Sequence, residues 1–205
     1  MIPANQDFGK RIQVKSRTLN RDKCTAHFQF PIFAHPSGDS LNALVSKFIS
    51  DLEYSFVENC KYRASKFSDG DTSDLHLSLV HYYADETILS YCFMITSYYV
   101  GAAHGNVEYK TFNYDLSAQQ LMRPHDFIQT ADSTLRTLII SVLRKEDESC
   151  FDEDFVSDIA KDKIQVSIEP DSLVFNFSAY QIVPYACGAP RVKIPRKSLA
   201  LKLPG

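Results

Sequence analysis

The chain has 205 residues, 44% of them hydrophobic and 23% charged. This is ordinary globular composition, with enough apolar material for a core that needs no metal or staple. Its 22 basic and 25 acidic side chains leave a net charge of -3, which argues against a general nucleic-acid binder.

Lys10 to Thr18 and Cys24 to Phe33 read as strands, because Ile12 and Val14, then Phe28 and Phe30, alternate with polar neighbours. Pro31 places the second strand at an edge or a strand end. His35 to Asp39 is a turn, and Asp39 or Ser40 is placed to cap the helix that follows. Leu41, Leu44, Val45, Phe48, Ile49, Leu52 and Phe56 form one apolar stripe over residues 40–58, a helix about 28 Å long that needs a sheet or helix to cover it. Asp69-Gly70-Asp71 reads as a turn. Leu75, Leu77 and Leu79 alternate up to His81, and Tyr82 to Glu86 connect to the next strand. Thr87 to Val100 is apolar on both faces, which predicts a central strand. Val107 to Tyr114 is a further strand, and Asp115 to Gln119 a turn.

Leu121 to Ile128 reads as a connector. Leu135, Leu138, Ile139, Val142 and Leu143 mark a second amphipathic helix, and Phe151 to Ala160 suggest a short third one. Lys163 to Ile168 and Leu173 to Phe177 form a hairpin around Glu169-Pro170-Asp171, with Val192 to Ile194 as a last strand. The sum is an α+β fold: one domain over 1–205, with a mostly antiparallel sheet and two main helices packed on one side. Residues 1–70 form a smaller N-terminal subregion, and 71–205 the main sheet region. Acidic residues crowd 146–154 and basic ones 191–202, which reads as two solvated faces. No run is long enough to span a bilayer. Met1 to Phe8 lacks the basic start and apolar stretch of a signal peptide. The literal reading is a cytoplasmic protein; the other is a chain trimmed of an export or membrane segment.

Chemistry-bearing residues are few. His76 and His81 are five apart on a strand, so they are expected on opposite faces, unable to share a metal. No zinc-ligand spacing, phosphate loop or nucleophile elbow occurs, so no metal and no cofactor is expected. The five cysteines Cys24, Cys60, Cys92, Cys150 and Cys187 leave their pairing open, with Cys92 expected as a buried apolar residue. Two loops stand out. Tyr99-Val100-Gly101-Ala102-Ala103-His104-Gly105-Asn106 joins two strands through tiny residues. Tyr180 to Pro190 carries Pro184, Tyr185, Cys187 and Gly188. His104 reads either as a ligand contact or general base, or as a loop histidine that fixes the turn by bonding the backbone. Cys187 with His104 as partner is the alternative reading, a hydrolase. Exposed tyrosines beside glycine-rich loops suit recognition, and Tyr185, stiffened by Pro184, is the first candidate. Asn176-Phe177-Ser178 matches a glycosylation acceptor but falls in a strand.

At Tyr99 to Gly105, at Phe112-Asn113-Tyr114-Asp115-Leu116, at Asp126-Phe127, at Tyr180 to Gly188 and at Ile194-Pro195, the chain resembles the extracytoplasmic domain of RsiV-type proteins. Phe30-Pro31-Ile32 and the helix from Ser40 resemble the smaller domain that precedes it there. That family includes lysozyme-sensing membrane anti-sigma factors, and similar domains stand beside peptidoglycan deacetylase domains. The resemblance implies a non-catalytic, extracytoplasmic binding or sensing module, whose partner is a protein such as lysozyme or a cell-wall glycan. The expected contact residues are Tyr99, His104, Asn106, Tyr180, Pro184 and Tyr185. A purely structural accessory role for both loops is the third reading.

Overall fold

The computed structural model describes residues 10–67, 71–146, 150 and 161–204. Nine strands and three helices are described, in the order β1 (Ile12–Arg21), β2 (Cys24–Phe33), α1 (Asp39–Lys66), β3 (Ser73–Ala84), β4 (Ile88–Tyr98), β5 (Asn106–Asp115), β6 (Gln120–Leu121), α2 (Pro124–Phe127), α3 (Asp132–Glu146), β7 (Gln165–Ile168), β8 (Ser172–Asn176) and β9 (Arg191–Pro195). The strands form a six-stranded sheet in the order β1 to β6 and a three-stranded sheet β7-β8-β9. Every pairing is antiparallel except β2 with β3, which is parallel and spans only Cys24–Phe28 against Ser73–Leu77. The α+β class with a mostly antiparallel sheet is therefore what the structure shows. The turn at Asp69-Gly70 and the short helix expected over Phe151 to Ala160 lie outside the described residues.

β4 is central, as its two apolar faces require. Its odd residues Leu89, Tyr91, Phe93 and Ile95 join Leu75, Leu77, Phe112 and Tyr114 under the apolar stripe of α1, where Leu41, Val45, Ile49 and Phe56 are buried. Its even residues Ser90 and Cys92 are equally buried on the opposite face, toward the small sheet. The two main helices thus serve different sheets. α1 covers the large sheet, while Leu135, Ile139 and Leu143 of α3 pack on Val166, Phe175 and Val192 of the small one. The expected arrangement of both helices on one side becomes a stack, because the β7–β9 hairpins fill the far face of the large sheet.

The two sheets meet through a chain of buried polar groups. The Ile168 N–H of β7 donates to Ser90 Oγ (2.9 Å), the Ser90 hydroxyl donates to Asn113 Oδ1 (2.7 Å), and Asn113 Nδ2 donates to the Val166 carbonyl (2.8 Å). Buried polar side chains here stand in for the neighbour strand that β7 lacks. Pro31 lies past the end of the β2–β3 pairing, where β2 has only β1 beside it, so its missing N–H costs nothing there. Two residues further on, Asn42 of α1 accepts from the Phe33 N–H (3.0 Å) and donates to its carbonyl (2.9 Å), closing that free edge.

A β-bulge between Leu79 and His81 corrects one expectation. His76 pairs with Thr96 and His81 with Cys92, two even positions of β4, so both histidines project from the same face. The extra residue Val80 restores a parity that simple alternation denies. The two stay separate all the same. His76 stacks on His27 of β2 (4.9 Å between ring centroids), whereas His81 lies beside Glu169 (3.9 Å).

Two disulfides tie the fold, Cys24–Cys60 between β2 and α1 and Cys150–Cys187 into the second loop. Cys92 is the free thiol and is buried; burial pushes it up to about 11. No helix among the described residues is long and apolar enough to cross a membrane.

Candidate binding site

The two loops singled out above meet in space. The first joins β4 to β5 and is braced against α1. Gly101 sits at φ +79°, where a side chain is strained, and a Cβ there would lie 2.6 Å from the Phe67 ring just past α1. The Ala102 N–H closes the turn on the Tyr99 carbonyl (2.9 Å), and the Val100 N–H donates to Ser73 Oγ (3.0 Å). The second loop is pinned to the outer edge of β5. The Ala179 N–H donates to the Val107 carbonyl (2.9 Å), and Tyr109 Oη donates to the Ala189 carbonyl (3.3 Å). Ile182 and Val183 sink into the small-sheet core, and Cys187 is held by Cys150. Both loops are therefore fixed before any ligand arrives, which lowers the ordering cost of binding.

Where they meet, three rings form a cluster. His104 stacks on Tyr185 (4.0 Å between centroids), Tyr185 stacks on Tyr180 (5.3 Å), and His104 lies 5.9 Å from Tyr180. His104 Nδ1 is 2.8 Å from the Gly105 carbonyl, which can only accept, so Nδ1 carries the proton. With the proton on Nδ1, Nε2 is the acceptor for the Tyr180 hydroxyl (3.0 Å). One hydrogen bond fixes the tautomer and the other joins the loops.

Tyr180 is 57% exposed and sits at φ +65°, unusual for a bulky side chain. The conformation costs roughly 1–2 kcal/mol. It is held by a local turn in which the Ser178 N–H donates to Gln181 Oε1 (2.9 Å) and the Gln181 N–H to the Ser178 carbonyl (3.0 Å). The strain turns a large ring outward, where packing alone would draw it in. Pro184, exposed, leads into the short 3₁₀ turn Tyr185–Cys187, and Gly188 at φ +78° ends it.

Of the six expected contact residues, the structure brings three into one cluster: His104, Tyr180 and Tyr185. Pro184 borders it through its neighbour. Asn106 bonds Glu108 Oε1 (2.6 Å) at the start of β5. Tyr99 packs against Phe56 of α1 (5.6 Å), within the large-sheet core cluster. Burial first, then the nearby Glu108 charge, pushes its hydroxyl pKa up. The hydrolase pairing is overturned, because the Cys187 sulfur is bonded to Cys150 and offers no thiolate to His104. The glycosylation match fails on geometry: Asn176 is fully buried, and its Nδ2 donates to Gln165 O (3.0 Å), Ser167 Oγ (3.2 Å) and Val174 O (3.0 Å). Sequence reasoning missed Ser178 and Gln181, which set Tyr180, since two polar residues at the ends of a four-residue turn carry no signal of their own.

A family profile described as "Protein of unknown function (DUF3298)" matches residues 115–197, which include Tyr180 and Tyr185 but not His104. The fold is similar to that of a DUF3298 family member from Bacteroides fragilis, at 18% identity over 91% of each chain and a TM-score of 0.58. It is also similar to a DUF3298 family protein from Pseudomonas aeruginosa, at 15% identity over 95% of each chain and a TM-score of 0.61. At these identities the likeness is one of fold. No curated protein matches the chain. Residues 115–197 thus carry a DUF3298-type domain match, within a chain that shares the fold of solved members along nearly all its length.

Proposed function

We propose that this chain is a non-catalytic binding or sensing module of the bacterial cell envelope, and that the His104–Tyr180–Tyr185 platform is its contact surface. The observation that carries the reading is the platform itself: a ring row with His104 and Tyr180 exposed and Tyr185 half-buried between them, built from two separately braced loops, one of them holding a tyrosine in a strained backbone conformation. Rigid aromatic surface of this kind gives large contact area at low entropic cost. The RsiV-type resemblance supplies the candidate partners, lysozyme or a cell-wall glycan; tyrosine faces suit both, stacking on sugar rings or on the cationic groups of a basic protein. Two disulfides support a location outside the cytoplasm, where thiols stay oxidised.

Calorimetric titration with lysozyme and with soluble peptidoglycan fragments tests the reading. One of the two is expected to bind saturably. Tyr185→Ala is expected to weaken that binding at least tenfold, because truncating a central aromatic anchor costs on the order of 2 kcal/mol. The melting temperature should stay nearly unchanged. No heat with either ligand would overturn the proposal.

A further inference from the structure

A cavity of about 510 Å³ opens beside the outer edge of β5, lined by none of the three platform rings, and the charged side chains in its lining are basic. Lys110 of β5 and Arg123 and His125 around the start of α2 contribute to it, and no aspartate or glutamate is among its lining residues. Neither Lys110 nor Arg123 forms an ion pair among the described residues; Lys110 Nζ rests 5.5 Å over the Phe112 ring. The neighbouring acid, Asp126, is already engaged. One of its oxygens accepts from the Arg123 backbone N–H (2.7 Å), and the other lies 3.1 Å from His125 Nε2.

A neutral donor completes the set. Gln165 Oε1 accepts from both the Thr111 N–H (2.8 Å) and the Thr111 hydroxyl (3.1 Å). The backbone N–H can only donate, so it fixes which end of the amide is the oxygen, and Nε2 keeps its two N–H groups without an acceptor among the described residues. The pair also caps the open edge of β5, so the amide is held by the fold.

We propose that this cavity binds an anionic group, a carboxylate or a phosphate, with the Arg123 fork and Lys110 supplying charge and Gln165 Nε2 a directed hydrogen bond. A guanidinium takes either anion through two parallel bonds, and a fixed amide donor costs no reorganisation. The site is independent of the platform and stands or falls separately from it.

The test is an amide-shift titration of the isotope-labelled full chain with sodium phosphate and, separately, sodium acetate, at ionic strength held constant with chloride. Saturable shifts of the Thr111 amide and the Gln165 side-chain amide are expected with at least one anion. Phosphate alone would assign a phosphoryl ligand, and acetate alone a carboxylate. Arg123→Gln, on an exposed side chain, should raise the dissociation constant about tenfold with the rest of the spectrum unmoved, the loss expected for one charged hydrogen-bond partner. Lys110→Gln provides a second variant of the same expectation. No saturable shift at these amides with either anion, or unchanged affinity in Arg123→Gln, would overturn the site.

Discussion

Tyr91 and Tyr114 bury their hydroxyls in the large-sheet core without a hydrogen-bond partner among the described residues. Burial pushes the Tyr91 pKa well above the tyrosine range. A buried, unpaired hydroxyl costs about 1–3 kcal/mol. Tyr91→Phe should therefore stabilise the protein by about 1 kcal/mol, a melting temperature about 2–4 °C higher for a chain of this size. A fall in that temperature, measured by calorimetry, would mean that the hydroxyl is doing work in the native state. Tyr180 is the opposite case, a tyrosine strained outward, and its exposure is what commends it as a contact. Composition marks both as aromatic residues beside central strands. Only burial separates them, because strand alternation sends Tyr91 under α1 while a positive φ at Tyr180 turns its ring away.

At the scale of elements, the β3 bulge places His81 where the two sheets join. His81 Nε2 lies 3.4 Å from the Ile168 carbonyl and Nδ1 3.9 Å from Glu169, whose other oxygen pairs with Lys193 (2.6 Å). Burial is the largest influence and lowers the His81 pKa, with Arg191 and Lys193 adding to it against Glu169 and the carbonyl. A base whose folded pKa is lowered binds fewer protons folded than unfolded, so stability rises with pH across that interval. Stability should therefore decline as pH falls below about 6.5, the ordinary histidine value. His81→Gln should flatten the fall in melting temperature between pH 7 and pH 5; an unchanged slope would contradict this placement. Glu169 acts lower. Burial pushes its carboxyl up, the bonds from Lys193 and Ser172 more than offset it, and the net lowering puts its loss below the usual glutamate range. The strands β2, β4 and β8 were legible because period-two or doubly apolar patterns report sheet burial directly. The bulge was not, since one inserted residue leaves no trace in hydropathy. α1 runs eight residues past its apolar stripe for a related reason: Cys60, in its last turns, is buried through its bond to Cys24, a contact that periodicity does not encode.

For the whole molecule, the disulfides turn two unremarkable cysteine spacings into cross-links between distant elements. The sequence separations are 36 and 37 residues, which on chain entropy contribute about 4 kcal/mol each. A thiol count checks this directly. The native protein should be inert to a thiol reagent, since Cys92 is buried and its pKa is raised to about 11. Denatured without reductant, it should release one thiol per chain, and five after reduction. Three or more before reduction would mean that a bridge is absent. The same layered frame explains why the two loops could be flagged from sequence but not joined. Their meeting depends on the small sheet seating itself against β5, a long-range event that local patterns do not carry.

If a partner lands on the ring platform, tyrosine and histidine ring resonances report it most directly. On adding lysozyme or soluble peptidoglycan fragments to ring-labelled protein, the signals of His104, Tyr180 and Tyr185 should move saturably while those of Tyr91 and Tyr114 stay fixed. Binding that leaves the three platform rings unmoved, or no binding of either ligand, would contradict it.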